Sequence, residues 1–185
     1  MRAFVGVHID PQTLDKISAV IRQLQDRLSG VRWITQSNIH LTLKFLGEVD
    51  ELRIEPIGRA LQEAARPFSR FTISAKGLGV FPGFKRPQVL WVGLEGSSLI
   101  SLASAVEAAL EPFGFASEKR IFKPHLSIGR WRQFRDSSGS LSRELEHWKN
   151  YEFGKSAVNE VVLFESVLRP EGAVYRPLRT IALVS

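Results

Sequence analysis

His40-Leu41-Thr42-Leu43 and His125-Leu126-Ser127-Ile128 are one four-residue pattern written twice: imidazole, aliphatic, hydroxyl, aliphatic. Successive side chains of an extended strand point to opposite faces, so each copy sets its imidazole and hydroxyl on one face and its aliphatic pair on the other. The aliphatic face suits a core. The polar face must line something wet, and two such faces brought together give two imidazoles with a hydroxyl beside each. One neutral imidazole can then take a proton from water while a second, protonated, gives one to a departing oxygen, since the ordinary histidine pKa makes both forms available near neutrality. The hydroxyls of Thr42 and Ser127 would orient and stabilise phosphoryl oxygens. A metal held by the same two histidines is the rival chemistry, but such sites usually recruit a carboxylate or a third histidine, and neither motif contains an acid. The pattern therefore reads as acid–base work with no metal and no cofactor. The remaining histidines, His8 and His147, lack the pattern and read as a locally satisfied strand residue and a helix-surface residue.

The elements that must position the two motifs also repeat. Ala3 to Ile9 reads as a strand buried in a sheet, and Asp10-Pro11 as a helix start with proline at the first helical position. Leu14, Ile17, Ile21, Leu24 and Leu28 carry a helical stripe toward Gly30. A connection, Val31 to Ser37, leads to the first motif strand, Ile39 to Leu46. A helix over Leu52 to Ala65 and a strand over Phe71 to Val80 follow, with Gly77 and Gly79 as candidate bulge positions. After a turn-rich loop, Phe81 to Pro87, the order recurs: strand Val89 to Leu94, helix Ser97 to Phe113, motif strand Phe122 to Trp131, helix Leu141 to Trp148, and strands at Ala157 to Leu168 and Tyr175 to Val184. Arg132 to Ser142, with Asp136-Ser137-Ser138-Gly139-Ser140, reads as a mobile loop.

This duplication predicts an α+β protein of two pseudo-symmetric lobes, each a mainly antiparallel sheet with helices on its outer face, around a central cleft. The whole of 1–185 is expected to be one bilobal domain, with lobes at about 1–81 and 88–185.

Twenty-five Lys and Arg against nineteen Asp and Glu leave a net charge of +6, which favours polyanionic partners such as nucleic acid or nucleotides. The 185 residues contain no cysteine, which excludes disulfides and thiolate chemistry. The start, Met1 to Val7, reads as a strand and meets Asp10 too soon for a signal peptide, and no run approaches a membrane span. A cytoplasmic location with no membrane association and no obligate protein partner is the expectation.

The chain resembles the two-histidine (2H) phosphoesterase superfamily, and within it the RNA 2′,3′-cyclic phosphodiesterases also called 2′-5′ RNA ligase-like proteins. The resemblance runs from Arg2-Ala3-Phe4-Val5-Gly6-Val7 through His40 to Gly47 and Pro87 to Leu94 to Pro124-His125-Leu126-Ser127-Ile128-Gly129-Arg130. Ser127 stands where that family usually has threonine, keeping the hydroxyl but dropping the methyl that restrains its rotamer. The resemblance implies a substrate that is RNA or a nucleotide ending in a 2′,3′-cyclic phosphate, hydrolysed to a 2′-phosphate and a free 3′-hydroxyl. It places the proton donor on His40 and the acceptor on His125, an assignment the repeat alone leaves open. Other readings are a non-catalytic RNA- or nucleotide-binding module, or a phosphodiesterase or 2′-5′ ligase acting on a different small cyclic nucleotide or on tRNA halves.

Arg130 is an odd number of residues from His125 and would point away on a regular strand, unless Gly129 allows a bulge that turns it back toward a phosphate. Lys44 is in phase with His40 and Thr42, which sets it at the cleft edge. Phe84, Trp33 and Trp91 are candidates for stacking a base, and Lys85 and Arg86 for contacting the RNA backbone.

Overall fold

In the computed structural model, which describes residues 1–136 and 138–185, apolar alternation becomes two antiparallel sheets. Strand β1 (Arg2–Val7) is buried from Ala3 onward and leads into helix α1 (Pro11–Gln25), which buries Ile17, Val20, Ile21 and Leu24. Asp10 starts that helix without a side-chain cap; its carboxylate instead accepts from the Ala157 amide at 3.0 Å. The helix stops short of the expected Gly30, and Leu28 is buried in the turn that follows. Inside the expected connection lies a short strand, β2 (Val31–Trp33), and after it comes the first motif strand, β3 (Leu41–Glu48). Helix α2 (Ile54–Ala65), β4 (Phe71–Phe81), β5 (Val89–Glu95), α3 (Ser97–Leu110) and the second motif strand β6 (His125–Trp131) continue the order.

Helix α4 (Ser140–His147) begins inside the segment read as a mobile loop; the Asp136 carboxylate accepts from the amides of Ser140 and Leu141 at 3.3 and 3.1 Å. Ser137 of that segment lies outside the described residues. The single apolar run expected over Ala157 to Leu168 is two strands, β7 (Glu152–Val158) and β8 (Glu160–Arg169), separated at Asn159, and β9 (Gly172–Ala182) closes the chain. Gly154, Lys155 and Ser156 separate Phe153 from Ala157 and Val158, which hid β7 from a search for apolar runs.

One sheet has the order β3-β1-β8-β9 and the other β2-β6-β5-β4-β7. The fold is thus α+β with two antiparallel sheets. The expected lobe boundary near Phe81 to Pro87 needs correction, because each sheet takes strands from both halves of the sequence. β4 leaves the first half to pair with β5, and β8 leaves the second half to pair with β1. The physical reason is edge satisfaction: β1 and β5 each have one edge taken by their own motif strand, and the free edge is filled by the strand that the other half supplies.

A main core joins both sheets and the helices between them. A smaller cluster of Phe4, Val162 and Phe164, with Tyr175 packed on it, occupies the opposite face of the first sheet. Among the described residues no helix is long and apolar enough to cross a membrane.

Candidate active site

The first motif is set by how β3 pairs with β1. Gly6 opposes Thr42 and Val5 opposes Lys44, so Leu43 is an extra residue on β3 and the alternation breaks there. Thr42 shares the face of Phe4 and Gly6. Lys44 is turned to the other face with Val5, where it is buried and its ammonium donates to the Glu107 carboxylate at 2.7 Å and the Ala116 carbonyl at 2.9 Å. The expected place of Lys44 at the cleft edge is therefore corrected: the bulge turns it into the contact with α3. Phe45, directly opposite Phe4 and 71% exposed, takes the position on the site face instead.

The second motif has the same irregularity. Trp91 opposes Ser127 and Leu90 opposes Gly129, leaving Ile128 as the extra residue. Gly93 opposes His125, and Val89 opposes Arg130. Arg130 accordingly lies on the face of His125 and Ser127, exposed to solvent. The two motif strands β3 and β6 lie against one another across the sheets.

Both imidazoles are held alike. Nδ1 of His40 is 2.9 Å from the Asn38 carbonyl, and Nδ1 of His125 is 2.6 Å from the Lys123 carbonyl, in each case two residues back. A carbonyl only accepts, so Nδ1 carries a proton and the lone pair of the neutral ring is on Nε2. The Thr42 hydroxyl donates to His40 Nε2 at 2.8 Å. No hydrogen bond from the described residues occupies Nε2 of His125.

Burial lowers the pKa of both rings below the ordinary value, against the opposing pull of the carbonyls that accept from Nδ1. The charge of His8 lowers His40 further, and that of Arg130 lowers His125.

Aromatic rings frame each histidine. His40 lies 4.6 Å from Phe4 and 4.9 Å edge-on from Tyr175, between ring centroids. His125 meets Phe81 edge-on at 4.8 Å, with Trp91 at 6.4 Å. The Trp91 indole crosses Gly79, where a Cβ would stand 2.1 Å from the ring, and among the described residues its buried Nε1 has no hydrogen-bond partner. Burial raises the Tyr175 pKa, and the positive charge of Arg130 pulls it down. Arg130, seated in the second sheet, thus acts on a tyrosine that touches His40 in the first, so the two half-sites share one space.

Phe84, Lys85 and Arg86 stand in solvent on the loop between β4 and β5, with Phe84 56% exposed. That loop springs from the strand ends beside Arg130, tied by the Gln88 amide to the Phe81 carbonyl at 2.7 Å and the Trp131 amide to the Gln88 carbonyl at 3.0 Å. Trp33 is half-buried opposite Gly129 and packs against the core. His147 is exposed on α4, as read. Residues that sequence reasoning missed are Tyr175, Phe4, Phe164 and Phe81, each near a motif only through strand register; His8, read as locally satisfied, is instead exposed and makes no hydrogen bond among the described residues. Among the described residues no group of three or more His, Cys, Asp or Glu side chains converges in a way that could hold a metal ion.

A model of the LigT-like phosphoesterase family matches residues 7–91. An RNA 2′,3′-cyclic phosphodiesterase of Archaeoglobus fulgidus is 35% identical over 97% of this chain and 98% of its own length. One from Thermotoga maritima is 32% identical over 96% of this chain and 93% of its own. A crystal structure from Thermus thermophilus superposes with a TM-score of 0.82 at 25% identity, covering 99% of this chain and 98% of that one.

Proposed function

Because the chain belongs to the LigT-like phosphoesterases, the family of these RNA 2′,3′-cyclic phosphodiesterases, we propose that it opens 2′,3′-cyclic phosphodiester ends of RNA or nucleotides to a 2′-phosphomonoester and a free 3′-hydroxyl. His40 and His125 do this by acid–base catalysis without a metal, within a single bilobal unit. The observation that carries the reading is the matched pair of Nδ1 bonds to the carbonyls of Asn38 and Lys123, which leaves both Nε2 atoms for chemistry.

Opening the ring needs an in-line attack by water on phosphorus, with a base on the entering side and an acid beside the departing 3′-oxygen. His125, with a free Nε2 and a pKa lowered by burial and further by the neighbouring Arg130 cation, takes the proton from water. His40 gives its Nε2 proton to the 3′-oxygen. Burial keeps His40 neutral in the free protein, so the negative phosphodiester itself must favour the imidazolium on binding. Once Nε2 is protonated it no longer accepts from Thr42, whose hydroxyl is released toward a non-bridging oxygen. Ser127 and Arg130 serve the remaining phosphoryl charge.

The test is an oligonucleotide with a terminal cyclic phosphate, incubated with purified protein in excess chelator, followed by identification of the hydroxyl that keeps the phosphate. Wild type is expected to yield the 2′-phosphate. His40→Ala and His125→Ala are each expected to lose about 10²- to 10⁴-fold in rate while retaining a folded circular-dichroism spectrum. Wild-type rates in either variant, or activity that vanishes with chelator and returns with a divalent metal, would overturn the reading.

A further inference from the structure

His8 stands one position beyond the last cross-strand couple of β1 and β3, Val7 with Leu41, so the register carried forward sets it opposite His40. Opposed residues of an antiparallel pair share a face, with Cβ atoms about 5 Å apart. On that face β1 presents Phe4, Gly6 and then His8. The first two lie under the His40 ring: Phe4 is 4.6 Å away between centroids, and a Cβ on Gly6 would meet His40 Cδ2 at 3.4 Å. The His40 ring leans over Gly6 toward Thr42, to which it is bonded at 2.8 Å, and so turns its reactive nitrogen away from His8.

His8 is exposed, its ring edge-on to Phe164 at 5.1 Å, and among the described residues its imidazole makes no hydrogen bond or ion pair. The duplicated machinery has no counterpart to it. In the second sheet the residue opposite His125 is Gly93, which carries no side chain.

We propose that His8 is a substrate-binding residue that receives the phosphate of the nucleotide preceding the cyclic end, so that the site favours an RNA chain over a single nucleotide. The proposal rests on the cyclic phosphodiesterase reading given above and names the substrate class for it. A scissile phosphate held by His40 Nε2 and the Thr42 hydroxyl sits at the level of Gly6. His8 is two residues further along, about 7 Å, too far to share that phosphate and placed to meet another anion. A mononucleotide cyclic phosphate has no second phosphate to offer; an RNA chain does. The contact is an imidazole N–H donating to a non-bridging phosphate oxygen.

The charged and titratable groups shown near His8 are His40, just before β3, and Asp10, two residues along the chain, whose carboxylate is engaged by the Ala157 amide. Arg2, further along β1 on the same face, and Arg130 on β6 both act on Tyr175. A terminal phosphomonoester titrates near pH 6. The comparison must therefore cancel every group that two ligands share.

The experiment measures Kd for an RNA tetranucleotide ending in a 2′-phosphate and for the matching nucleoside 2′-monophosphate, with wild type, His8→Ala and His8→Lys. The ratio of the two Kd values removes the contributions of His40 and of the terminal phosphate. The wild-type preference for the tetranucleotide should exceed that of His8→Ala roughly five- to tenfold. His8→Lys, which restores a donor to phosphate, should keep the preference. An alanine variant that retains the wild-type preference, or a lysine variant that behaves like alanine, would overturn the assignment. Cyclic-phosphate hydrolysis is assayed on the same preparations: its absence from wild type would defeat the proposed function, whereas intact hydrolysis with a Kd ratio indifferent to residue 8 would defeat the role of His8 alone.

Discussion

Lys44→Met distinguishes a lysine at the cleft from a lysine in the core. The ammonium lies 2.7 Å from Glu107 Oε2, with side-chain exposures of 4% and 21%, and it also fills the Ala116 carbonyl. Methionine replaces the aliphatic stem at similar volume, so the change leaves no large cavity and acts mainly through the lost charge. Glu107 would keep only a long contact from the Glu118 amide at 3.3 Å. Removing one partner of a buried pair costs about 3–5 kcal/mol. Because Glu107 retains some access to water, the lower end applies, about 3 kcal/mol. At roughly 2–4 °C per kcal/mol for a chain of this size, Tm should fall by about 6–12 °C.

Thermal and urea unfolding measure that loss. Adding Glu107→Leu should recover most of it, since an apolar pair of similar volume avoids the uncompensated carboxylate. Below the transition, RNA binding by the single variant should match wild type. A Lys44→Met protein with undiminished Tm and several-fold weaker RNA binding would refute the reasoning at its root. It would mean that Leu43 is not the extra residue of β3 and that the strand keeps strict alternation through Lys44.

The approach of the two half-sites can be tested through the only two tyrosines of the chain, Tyr151 and Tyr175. Burial holds Tyr175 above the ordinary pKa of 10.0 while Arg130 opposes the rise, so Arg130→Gln should move its ultraviolet titration to still higher pH; an unchanged titration would place Arg130 away from the first sheet. The buried histidines make a signed statement about acid stability. Their folded pKa values lie below the ordinary 6.5, so the unfolded chain binds protons more readily, and the stability they contribute is complete above 6.5 and is lost as pH falls through the folded values. A His40→Gln, His125→Gln double variant should lose less stability than wild type between pH 7 and pH 5 in urea titrations, and an equal loss would contradict the burial argument.

Much of the site was legible because each motif is short and its polar face local. His40 with Thr42, and His125 with Ser127, share a face through two residues of alternation, before either bulge intervenes. Beyond that point the sequence looks regular and is not. Leu43 and Ile128 are ordinary apolar strand residues, and nothing in their identity marks them as the extra ones; they become so only by the registers with β1 and β5. Lys44 was misplaced for that reason. Gly129 was read as the device that turns Arg130, but its φ is not positive, and its missing Cβ serves something else. A Cβ there would stand 2.6 Å from Val31 Cγ1 and 3.4 Å from the Trp33 ring, so the glycine admits β2 at the sheet edge. Tyr175 and Phe164 were illegible for a topological reason: β8 and β9 come late in the chain, yet pair into the sheet begun by β1.

The exchange of β4 and β8 bears on how a duplicated frame would perform the proposed reaction, which needs two different groups. Each half supplies strands to the other's sheet, so the chain crosses between the sheets, and β3 and β6, one in each sheet, meet by packing rather than by strand pairing. That frame repeats even its irregularities, since the extra residues Leu43 and Ile128 bring the fifth residue after each histidine onto the site face. Those fifth residues are Phe45 on one side and Arg130 on the other. Gly93 opposes His125, whereas the register of β1 and β3 carried one step past Val7 and Leu41 brings His8 to His40. A symmetric frame offers two equivalent imidazoles and gives a proton no direction. On the proposed reading, direction comes from what the duplication does not repeat: beside His125 the Arg130 cation adds to burial in lowering its pKa, and around His40 the rings of Phe4, Phe164 and Tyr175 crowd the imidazole, so that the substrate's own charge would install the proton it donates.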